Sequence, residues 1–368
     1  MKIEAVEAVA VRIPTVRPHR MAMATVTKHT SVVVQVRDSD GAIGVGEVGV
    51  IGGYGDESVE SICHDINEVS EVALVGLDPM TFGLSAAAPS PIHKLSRYAS
   101  AAIDMAMQDL LCRRNGLSAQ RVIGTPLRKE VEFTWVLATG AYSSDLAEAE
   151  RMASAHGIRN FLIKAGRESV DVDLVRIKRI CASLGPGFSI RVDANQSWDE
   201  LTAREAMMRL ADFGVAVIEQ PVAATDLRAL RRLTESGVLP VMADESAVTV
   251  EDVAQISDSK AASAVSVKVC KSGSIVAAQQ IANIAHSSGL TVFGGTMIES
   301  SVGAAALLRV FSTFPSLHWG CQLIGPLLLA DDLAMEPLEV HDGKFRVPDG
   351  PGLSGVLDTS KLNFYRRR

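Results

Sequence analysis

From about residue 130 onward, the chain alternates short apolar runs with amphipathic helical stretches, and this alternation restricts the possible folds most strongly. The apolar runs predicted as strands are residues 132–138, 160–165, 189–193, 216–219, 238–243, 264–269, 290–294 and 317–320. Helical periodicity marks stretches between them, such as Asp145–His156 and Val170–Leu184. This order predicts an α/β fold with a parallel sheet covered by helices. Eight such units in about 190 residues favour a closed (β/α) barrel of the TIM type over an open doubly wound sheet.

The glycine-rich segment gives the open-sheet alternative no support. Dinucleotide-binding sheets carry G-x-G-x-x-G where a strand passes into a helix. No such motif opens a helix in this chain, and Gly52-Gly53-Tyr54-Gly55 lacks the required spacing. We therefore interpret residues 51–55 as a flexible loop.

The chain divides into three predicted segments. Residues 1–125 are expected to form an α+β domain, and residues 126–325 the barrel. Residues 326–368 are rich in proline and glycine and contain no ninth strand–helix unit. We expect this C-terminal segment to pack back on the N-terminal domain and complete it.

The N-terminal segment has the pattern of a hairpin followed by helices. Its predicted strands and helices are Ile3–Ile13, Ser31–Arg37, Ala42–Val48, Ser58–Leu74 and Ser96–Arg114. Between the second and third strands lies Asp38-Ser39-Asp40-Gly41, which is a strong turn signal. The sequence therefore predicts an antiparallel hairpin at this position.

Three acidic residues end consecutive predicted strands of the barrel. They are Asp193, Glu219 and Asp244, which lie 26 and 25 residues apart, about one βα unit each. Carboxylates at the carboxyl ends of parallel strands converge at one mouth of a barrel. Three carboxylates so close together would repel one another unless a cation neutralised them, so the pattern predicts a metal site. Taken singly, such an aspartate is also a common helix N-cap.

Two lysines end other predicted strands. Lys164 ends strand two and Lys268 ends strand six, so both would flank a metal held by strands three to five. An ammonium group close to a divalent cation loses its proton more easily, which makes a lysine a useful acid or base. A metal that stabilises an enolate, with a lysine handling the α-proton, is a coherent mechanism.

Several neighbouring polar residues allow two interpretations. Glu299, after strand seven, is either a catalytic acid or a surface loop residue, and Lys271 is expected to be a solvated charge. Glu245 is interpreted as a partner of the metal ligands, because its side chain would point away from that of Asp244. His19 and His29 either bind an anionic substrate or are structural.

Composition excludes some classes of function. The net charge of −7 argues against a general nucleic-acid-binding protein. The five cysteines form no C-x-x-C pair, which argues against a zinc ribbon and favours reduced thiols in the cytoplasm. The N-terminus resembles a strand rather than a signal peptide, and no run approaches the ~18 apolar residues of a membrane span. A metal-dependent hydrolase would want histidine ligands, and no histidine ends a predicted strand.

These residues resemble the muconate lactonizing subgroup of the enolase superfamily, over nearly the whole chain. The barrel motifs that carry the resemblance are Lys164, Asp193-Ala194-Asn195-Gln196, Glu219-Gln220-Pro221, Asp244-Glu245-Ser246, Lys268 and residues 294–299. The others are RPHRMAM at residues 17–23, AIDMA at residues 102–106 and GPLLL at residues 325–329.

The resemblance implies a capping α+β domain over a modified (β/α) barrel. It implies Mg²⁺ or Mn²⁺ held by Asp193, Glu219 and Asp244, with Asn195 and Glu245 supporting these ligands. It also implies that Lys164, Lys268 and Glu299 act in catalysis.

The resemblance implies a substrate class as well. His19, Met21 and Tyr54, in two loops of the capping domain, would contact a small dicarboxylate substrate. The implied reaction is a cycloisomerisation, in which one carboxylate adds to the distal alkene and a lysine protonates the α-carbon. We expect a cytoplasmic homo-oligomer that binds neither nucleic acid nor membrane.

One position departs from the family pattern. The family has Lys-x-Lys on strand two, whereas this chain has Leu162-Ile163-Lys164. A missing neighbouring cation weakens the tuning of Lys164, so we expect Lys268 to carry the protonation.

Other reactions use the same metal and lysines, and the barrel residues alone do not separate them. They are chloromuconate cycloisomerisation, o-succinylbenzoate synthesis, N-acylamino acid racemisation and dipeptide epimerisation. A dipeptide epimerase would carry an acidic pair near the end of strand eight, which Trp319-Gly320-Cys321-Gln322 lacks. A non-catalytic binding module would not need two interior lysines.

Overall fold

The computed structural model describes residues 2–55, 57–81 and 95–367. Within these ranges the strands form three sheets, and no helix is long and apolar enough to cross a membrane.

An antiparallel sheet opens the chain, in the order β1-β2-β3. Its strands are Ile3–Arg20 (β1), Thr25–Asp38 (β2) and Ile43–Val50 (β3). The predicted hairpin is confirmed, because β2 and β3 pair antiparallel. In the turn between them, Asp38 Oδ1 accepts hydrogen bonds from the backbone N–H groups of Asp40 and Ala42. This carboxylate thus replaces backbone partners that the tight turn leaves unpaired.

Helices cover one face of this sheet. They are Val59–Val69 (α1), which continues as a π-helix at Ser70–Leu74, and Arg97–Arg114 (α2). Helix α2 packs so tightly on β3 that a Cβ atom at Gly44 would lie 2.1 Å from the carbonyl oxygen of Ala106. A glycine is therefore required at Gly44 for this packing.

A parallel sheet of seven strands forms the second part, in the sequential order β5 to β11. Its strands are Thr134–Leu137 (β5), Asn160–Lys164 (β6), Ser189–Asp193 (β7), Val217–Glu219 (β8), Val241–Ala243 (β9), Ala264–Val267 (β10) and Thr291–Gly294 (β11). The helices that follow are Tyr142–His156 (α3), Val170–Leu184 (α4), Glu200–Asp212 (α5), Leu227–Glu235 (α6), Val250–Ser259 (α7), Val269–Ser272 (α8), Ile275–Ser287 (α9) and Ser301–Ser312 (α10). The predicted alternation of strands and helices is confirmed.

The eighth position of the barrel is a single residue rather than a strand. Cys321 forms parallel bridges with both Phe133 and Gly294, and so joins the two edges of the seven-stranded sheet. The prediction of a strand over residues 317–320 was therefore wrong, because the chain reaches the barrel one residue later and pairs there only briefly. The barrel is nevertheless closed, as expected.

Alternate residues of the barrel strands point inward. Val217, Met242, Ala264 and Phe293 form a separate buried cluster in which each comes from a different strand. The guanidinium of Arg191 lies 3.6 Å from the ring centroid of Phe293. This layer fills the barrel interior, so the side chains two residues further along each strand lie at its mouth.

The C-terminal segment contacts both preceding parts. Its elements are Gly325–Leu328 (α11), Val340–His341 (β12), Lys344–Arg346 (β13) and Thr359–Tyr365 (α12). Strand β13 pairs with Glu130–Glu132 (β4), so the predicted strand 132–138 is divided at Phe133 into β4 and β5. Arg366 and Leu329 form isolated bridges with β1, as a returning tail would.

Two buried carboxylates join the N-terminal sheet and its helices to the barrel. Glu47 on β3 accepts hydrogen bonds from the backbone N–H groups of Ser300 and Gly303, where helix α10 begins. Asp104 on α2 accepts one from the N–H of Ile275, the first residue of α9. Burial raises the pKa of Glu47 to about 7 and that of Asp104 to about 6. Each carboxylate satisfies N–H groups that a helix N-terminus leaves unpaired.

Candidate active site

Five charged side chains lie at one mouth of the barrel. Lys164, Asp193 and Glu219 are the last residues of β6, β7 and β8, and strand register pairs Lys164 with Asp193 and Asp193 with Glu219. Asp244 and Lys268 directly follow β9 and β10. All five are buried. The strand register therefore brings together the acids and lysines that sequence spacing singled out.

Lys164 is held by an acid and an amide from the neighbouring strand end. Its Nζ lies 2.5 Å from Asp193 Oδ2 and 3.1 Å from Asn195 Oδ1. Asn195 adopts a left-handed backbone conformation (φ 42°), which asparagine tolerates better than most residues. Its Nδ2 donates to Glu245 Oε1 over 3.1 Å. Asn195 thus links Lys164 to Glu245.

Asp244 accepts hydrogen bonds from two lysines. Lys268 Nζ lies 2.6 Å from Oδ2, and Lys271 Nζ lies 2.7 Å from Oδ1. Lys271 is only 4% exposed and also donates to the backbone carbonyl oxygens of Asp244 and Ser266. The expectation that Lys271 is a solvated charge was wrong. Lys271 lies in the four-residue helix α8, three residues after Lys268, and this spacing places both side chains on the same side of the helix.

The carboxylates carry unbalanced negative charge. Burial, together with the charges of Asp193 and Asp244, raises the pKa of Glu219 to about 8. The same causes raise the pKa of Glu245 to about 7. Burial would also raise the pKa of Asp244, but Lys268 and Lys271 outweigh it and hold that pKa well below its usual range. A further positive charge beside Glu219 would therefore stabilise the site.

These acids fit a divalent cation. Glu219 Oε2 is buried and has no hydrogen-bond partner among the described residues. Three carboxylates on adjacent strands supply the hard oxygen donors that Mg²⁺ and Mn²⁺ prefer. In the described part of the chain, no group of three acidic, histidine or cysteine side chains is already arranged to hold an ion. Asp193 and Asp244 instead accept hydrogen bonds from Lys164, Lys268 and Lys271. These lysines would have to release oxygens of the two carboxylates before a cation could bind.

Tyr54 brings the N-terminal domain into the site. Its hydroxyl accepts a hydrogen bond from Lys268 Nζ (2.7 Å) and donates one to Asp244 Oδ2 (2.9 Å). The Lys268 ammonium also lies 4.2 Å from the centroid of the tyrosine ring. Burial, followed by the charge of Asp244, raises the pKa of Tyr54 well above its usual value. Tyr54 is therefore a neutral phenol, and it hydrogen-bonds Lys268 in this form.

A cavity lies between the two strand-end lysines and is bounded by both domains. Its lining consists of His19, Met21, Ile51, Tyr54, Val136, Lys164, Asn195, Lys268, Thr296, Met297, Ile298, Gln322 and Ile324. The predicted contact residues His19, Met21 and Tyr54 are all in this lining. The arrangement combines an apolar wall with a few convergent polar groups, as small-molecule sites do.

His19 faces the cavity as a neutral ring. Burial and then the charges of Arg17 and Lys164 lower its pKa well below the ordinary value. Its Nδ1 lies 3.3 Å from Nη1 of Arg17. His29, by contrast, does not line the cavity; burial lowers its pKa to about 3, and neither ring nitrogen has a partner in the described ranges. A structural role therefore suits His29.

Glu299 is buried but bonds to its own loop. Its Oε2 accepts hydrogen bonds from Thr296 Oγ1 (2.6 Å) and the N–H of Met297 (3.0 Å). Glu299 does not line the cavity, whereas Thr296 and Met297 do. The structure thus places Glu299 where it shapes the loop after β11, and its role as a catalytic acid stays a prediction.

Sequence reasoning missed Gln322 and Thr296. Neither is charged, and both lie in loops without periodicity. The signal that could have found them is the barrel closure itself, since every strand end contributes one residue to the mouth.

Two family models match the sequence. Residues 3–124 match the N-terminal domain of the mandelate racemase / muconate lactonizing enzyme family, and residues 145–361 match the enolase C-terminal domain-like family.

Curated relatives and solved structures extend over the whole chain. It is 38% identical to a chloromuconate cycloisomerase of Cupriavidus pinatubonensis, with 100% of both chains covered. It is also 38% identical to muconate cycloisomerase 1-2 of Acinetobacter lwoffii, covering 100% of this chain and 96% of that one. The fold is similar to that of a muconate lactonizing enzyme of Pseudomonas fluorescens complexed with muconolactone (TM-score 0.95, 36% identity, 100% and 99% covered). It is equally similar to 2-chloromuconate cycloisomerase of Rhodococcus opacus 1CP (TM-score 0.95, 36% identity, both chains fully covered).

Proposed function

The chain belongs to the mandelate racemase / muconate lactonizing enzyme family of the enolase superfamily, and we propose that it is a muconate cycloisomerase. Such an enzyme is an isomerase that closes cis,cis-muconate to muconolactone. The observation that carries the proposal is the pair of buried lysines, Lys164 and Lys268, on a cavity at the carboxylate-bearing mouth. A role in the catabolism of aromatic compounds follows from this substrate.

A divalent cation is part of the proposal. Asp193, Glu219 and Asp244 would hold it, and their oxygen donors favour Mg²⁺ or Mn²⁺. When bound, the cation would stabilise the negative charge that builds up on one substrate carboxylate. Asn195 and Glu245 support this set, since Asn195 donates its backbone N–H to Asp193 Oδ1 over 2.8 Å.

The reaction needs one new C–O bond and one new C–H bond. An oxygen of the first carboxylate adds to an alkene carbon, and the alkene electrons move toward the second carboxylate. The carbon next to that second carboxylate then takes a proton. A dianion thus becomes a lactone monoanion, so each turnover takes up one proton from solvent.

The two lysines would serve opposite faces of the substrate. Lys164 ends the second strand of the barrel and Lys268 follows the sixth. The two lysines therefore lie on opposite sides of the eight-position barrel. We assign the proton donation to Lys268, whose Nζ is held by Tyr54 and Asp244. Lys164 would then balance substrate charge from the other face.

Replacing Lys268 tests this assignment. Lys268→Ala is expected to lower kcat by roughly 10²- to 10⁴-fold, the usual contribution of a general acid. The loss of ultraviolet absorbance of cis,cis-muconate measures the rate, and NMR of the lactone formed in D₂O reports the face that was protonated. Full activity of Lys268→Ala would show that the assignment is wrong.

Chloromuconate cycloisomerisation is the second candidate. The relative from Cupriavidus pinatubonensis carries that name and matches the chain as well as the muconate enzymes do. The ratio of kcat/KM for 2-chloromuconate to that for muconate would separate the two. N-succinyl amino acids and dipeptides complete the screen, because strong racemisation without muconate turnover would overturn the proposal.

We propose a homo-oligomer in the cytoplasm, in line with the reduced thiols expected from the sequence. In the described residues all five cysteines are free. Light scattering coupled to size-exclusion chromatography would measure the mass, and a monomer at micromolar concentration would contradict the proposal.

A further inference from the structure

Lys271 is a buried lysine that has no place in the chemistry described above. Its ammonium donates to Asp244 Oδ1 (2.7 Å) and to the backbone carbonyl oxygens of Asp244 (2.5 Å) and Ser266 (3.0 Å). A lysine has three N–H donors, so all of them are used. Ser266 belongs to β10 and Asp244 directly follows β9. Lys271 therefore ties the ends of two neighbouring strands together.

The two side-chain oxygens of Asp244 have different surroundings. Oδ1 accepts the hydrogen bond from Lys271, whereas Oδ2 accepts hydrogen bonds from Lys268 Nζ (2.6 Å) and the Tyr54 hydroxyl (2.9 Å). Lys268 and Tyr54 both line the cavity, and Lys271 is not part of its lining. Oδ1 thus faces the barrel wall, and Oδ2 faces the cavity.

The two lysines differ in what they would lose on leaving Asp244. Lys268 would keep its hydrogen bond to the Tyr54 hydroxyl (2.7 Å) and has the cavity beside it. Lys271 would leave the buried carbonyl oxygens of Asp244 and Ser266 without their donor, and buried acceptors without a donor are costly. Lys268 is therefore the lysine that is released more easily.

We infer that Lys271 is a positioning residue, which holds Oδ1 of Asp244 with or without the cation, so that Oδ2 alone exchanges between Lys268 and the cation. This inference rests on the metal site of the proposed function. It follows that Lys268 is bound to Asp244 in the metal-free protein and turns toward the cavity in the metal-loaded protein. The proton donor thus becomes free only when the metal site is filled.

Chemical labelling of the wild-type protein tests the inference directly. Reductive methylation with formaldehyde uses a reagent small enough to enter the cavity, and mass spectrometry measures the label on each lysine. Adding Mg²⁺ is expected to speed the labelling of Lys268 at least threefold and to leave that of Lys271 unchanged. Lys178, exposed on α4, is the internal reference and should be labelled at the same rate in both states.

Two variants test the same exchange by affinity. Lys268→Met and Lys271→Met each remove one buried positive charge bonded to Asp244, so both lose the same general repulsion of the cation. Lys268→Met also removes the competitor for Oδ2. It is expected to bind Mg²⁺ about 10- to 100-fold more tightly than Lys271→Met, the effect of one hydrogen bond between charged groups. Calorimetry measures both affinities, and Lys178→Met should bind Mg²⁺ as wild type does.

The outcomes separate this inference from the proposed function. If wild type shows the expected labelling but turns over no muconate, the function fails and the inference stands. If wild type turns over muconate with Mg²⁺ while Lys271 gains label or Lys268 does not, the inference alone is overturned. Equal Mg²⁺ affinity of the two variants overturns it too. The labelling needs no variant, so it decides the inference even where Lys271→Met does not fold.

Discussion

Leu162 occupies the inward-facing position two residues before Lys164, where the family pattern has a lysine. It is fully buried, and strand register pairs it with Arg191 on β7. No nitrogen of the Arg191 guanidinium has a hydrogen-bond partner in the described ranges, and the group lies over Phe293. The layer below Lys164 and Lys268 therefore already holds one poorly compensated cation. An apolar leucine avoids placing a second cation beside it.

Restoring the family lysine should consequently destabilise this chain. We expect Leu162→Lys to lower the free energy of unfolding by roughly 3 kcal/mol or more, because the new ammonium would be buried without a partner. Leu162→Met, which conserves volume, should cost less than about 1.5 kcal/mol. Urea unfolding followed by circular dichroism measures both values. Equal stability of the two variants would contradict this account.

The Tyr54 hydroxyl is expected to act through Lys268 rather than through folding. Tyr54→Phe removes the hydrogen bonds to Lys268 and Asp244 and keeps the ring. We predict that kcat for muconate falls about tenfold, whereas the melting temperature falls by only a few degrees, because a loss of about 1.5–3 kcal/mol shifts the melting temperature of a chain of this size little. Tyr142→Phe, which loses an exposed contact to Ser183, is the control. A similar loss in both variants, or none in Tyr54→Phe, would refute the prediction.

At the scale of secondary-structure elements, the contact between α2 and α9 depends on one buried acid. Asp104 accepts a hydrogen bond from the N–H of Ile275, and burial raises its pKa from an ordinary 3.8 to about 6. The folded chain therefore holds this proton more tightly than the unfolded chain does. The resulting stabilisation is complete below the unfolded pKa and is lost as pH rises through 6.

Asp104→Asn removes this titration and keeps an oxygen for the N–H of Ile275. The difference in unfolding free energy between the variant and wild type should therefore shift in favour of the variant by about 2 kcal/mol between roughly pH 4 and pH 6.5. Urea unfolding at a series of pH values gives this difference directly. A difference that does not change with pH would show that Asp104 titrates normally.

Elements with a strong period could be predicted from the sequence, and very short ones could not. The sequence predicted α4 at Val170–Leu184 and β7 at Ser189–Asp193, where apolar spacing repeats over several residues. It missed α8, whose four residues are too few to show a helical period, and with it the burial of Lys271. It also misplaced the eighth strand, because one bridge at Cys321 closes the barrel without any apolar run.

At the scale of the whole molecule, the candidate site needs both domains. The barrel supplies the acids and lysines, and the N-terminal domain supplies His19, Met21 and Tyr54 to the same cavity. Strand-end acids could be predicted because a parallel sheet places all its carboxyl ends at one edge. The contacts between the two domains could not be predicted, because the periodicity within each segment shows its own strands and helices but not how the two domains pack together.

A divalent cation should stabilise the entire chain, which gives a test of the metal site that needs no substrate. Saturating Mg²⁺ or Mn²⁺, at about a hundred times its Kd, should add about 2.7 kcal/mol, or roughly 3 °C in melting temperature for a chain of this size. Glu219→Gln should abolish that gain. Above pH 8 and without metal, the same variant should melt above wild type, because it removes a carboxylate whose ionisation is opposed by burial and by the charges of Asp193 and Asp244, which raise the pKa of Glu219 to about 8.

Calorimetric melting with and without the cation measures both effects. Glu205→Gln, an exposed change on α5, is the matched control and should keep the full metal response. The two opposite effects expected of Glu219→Gln have one cause: three carboxylates at one mouth repel one another until a cation binds between them. If Glu219→Gln keeps the stabilisation by metal, the cation binds elsewhere. If Glu219→Gln is less stable than wild type without metal above pH 8, the negative charge of Glu219 is already balanced by its neighbours.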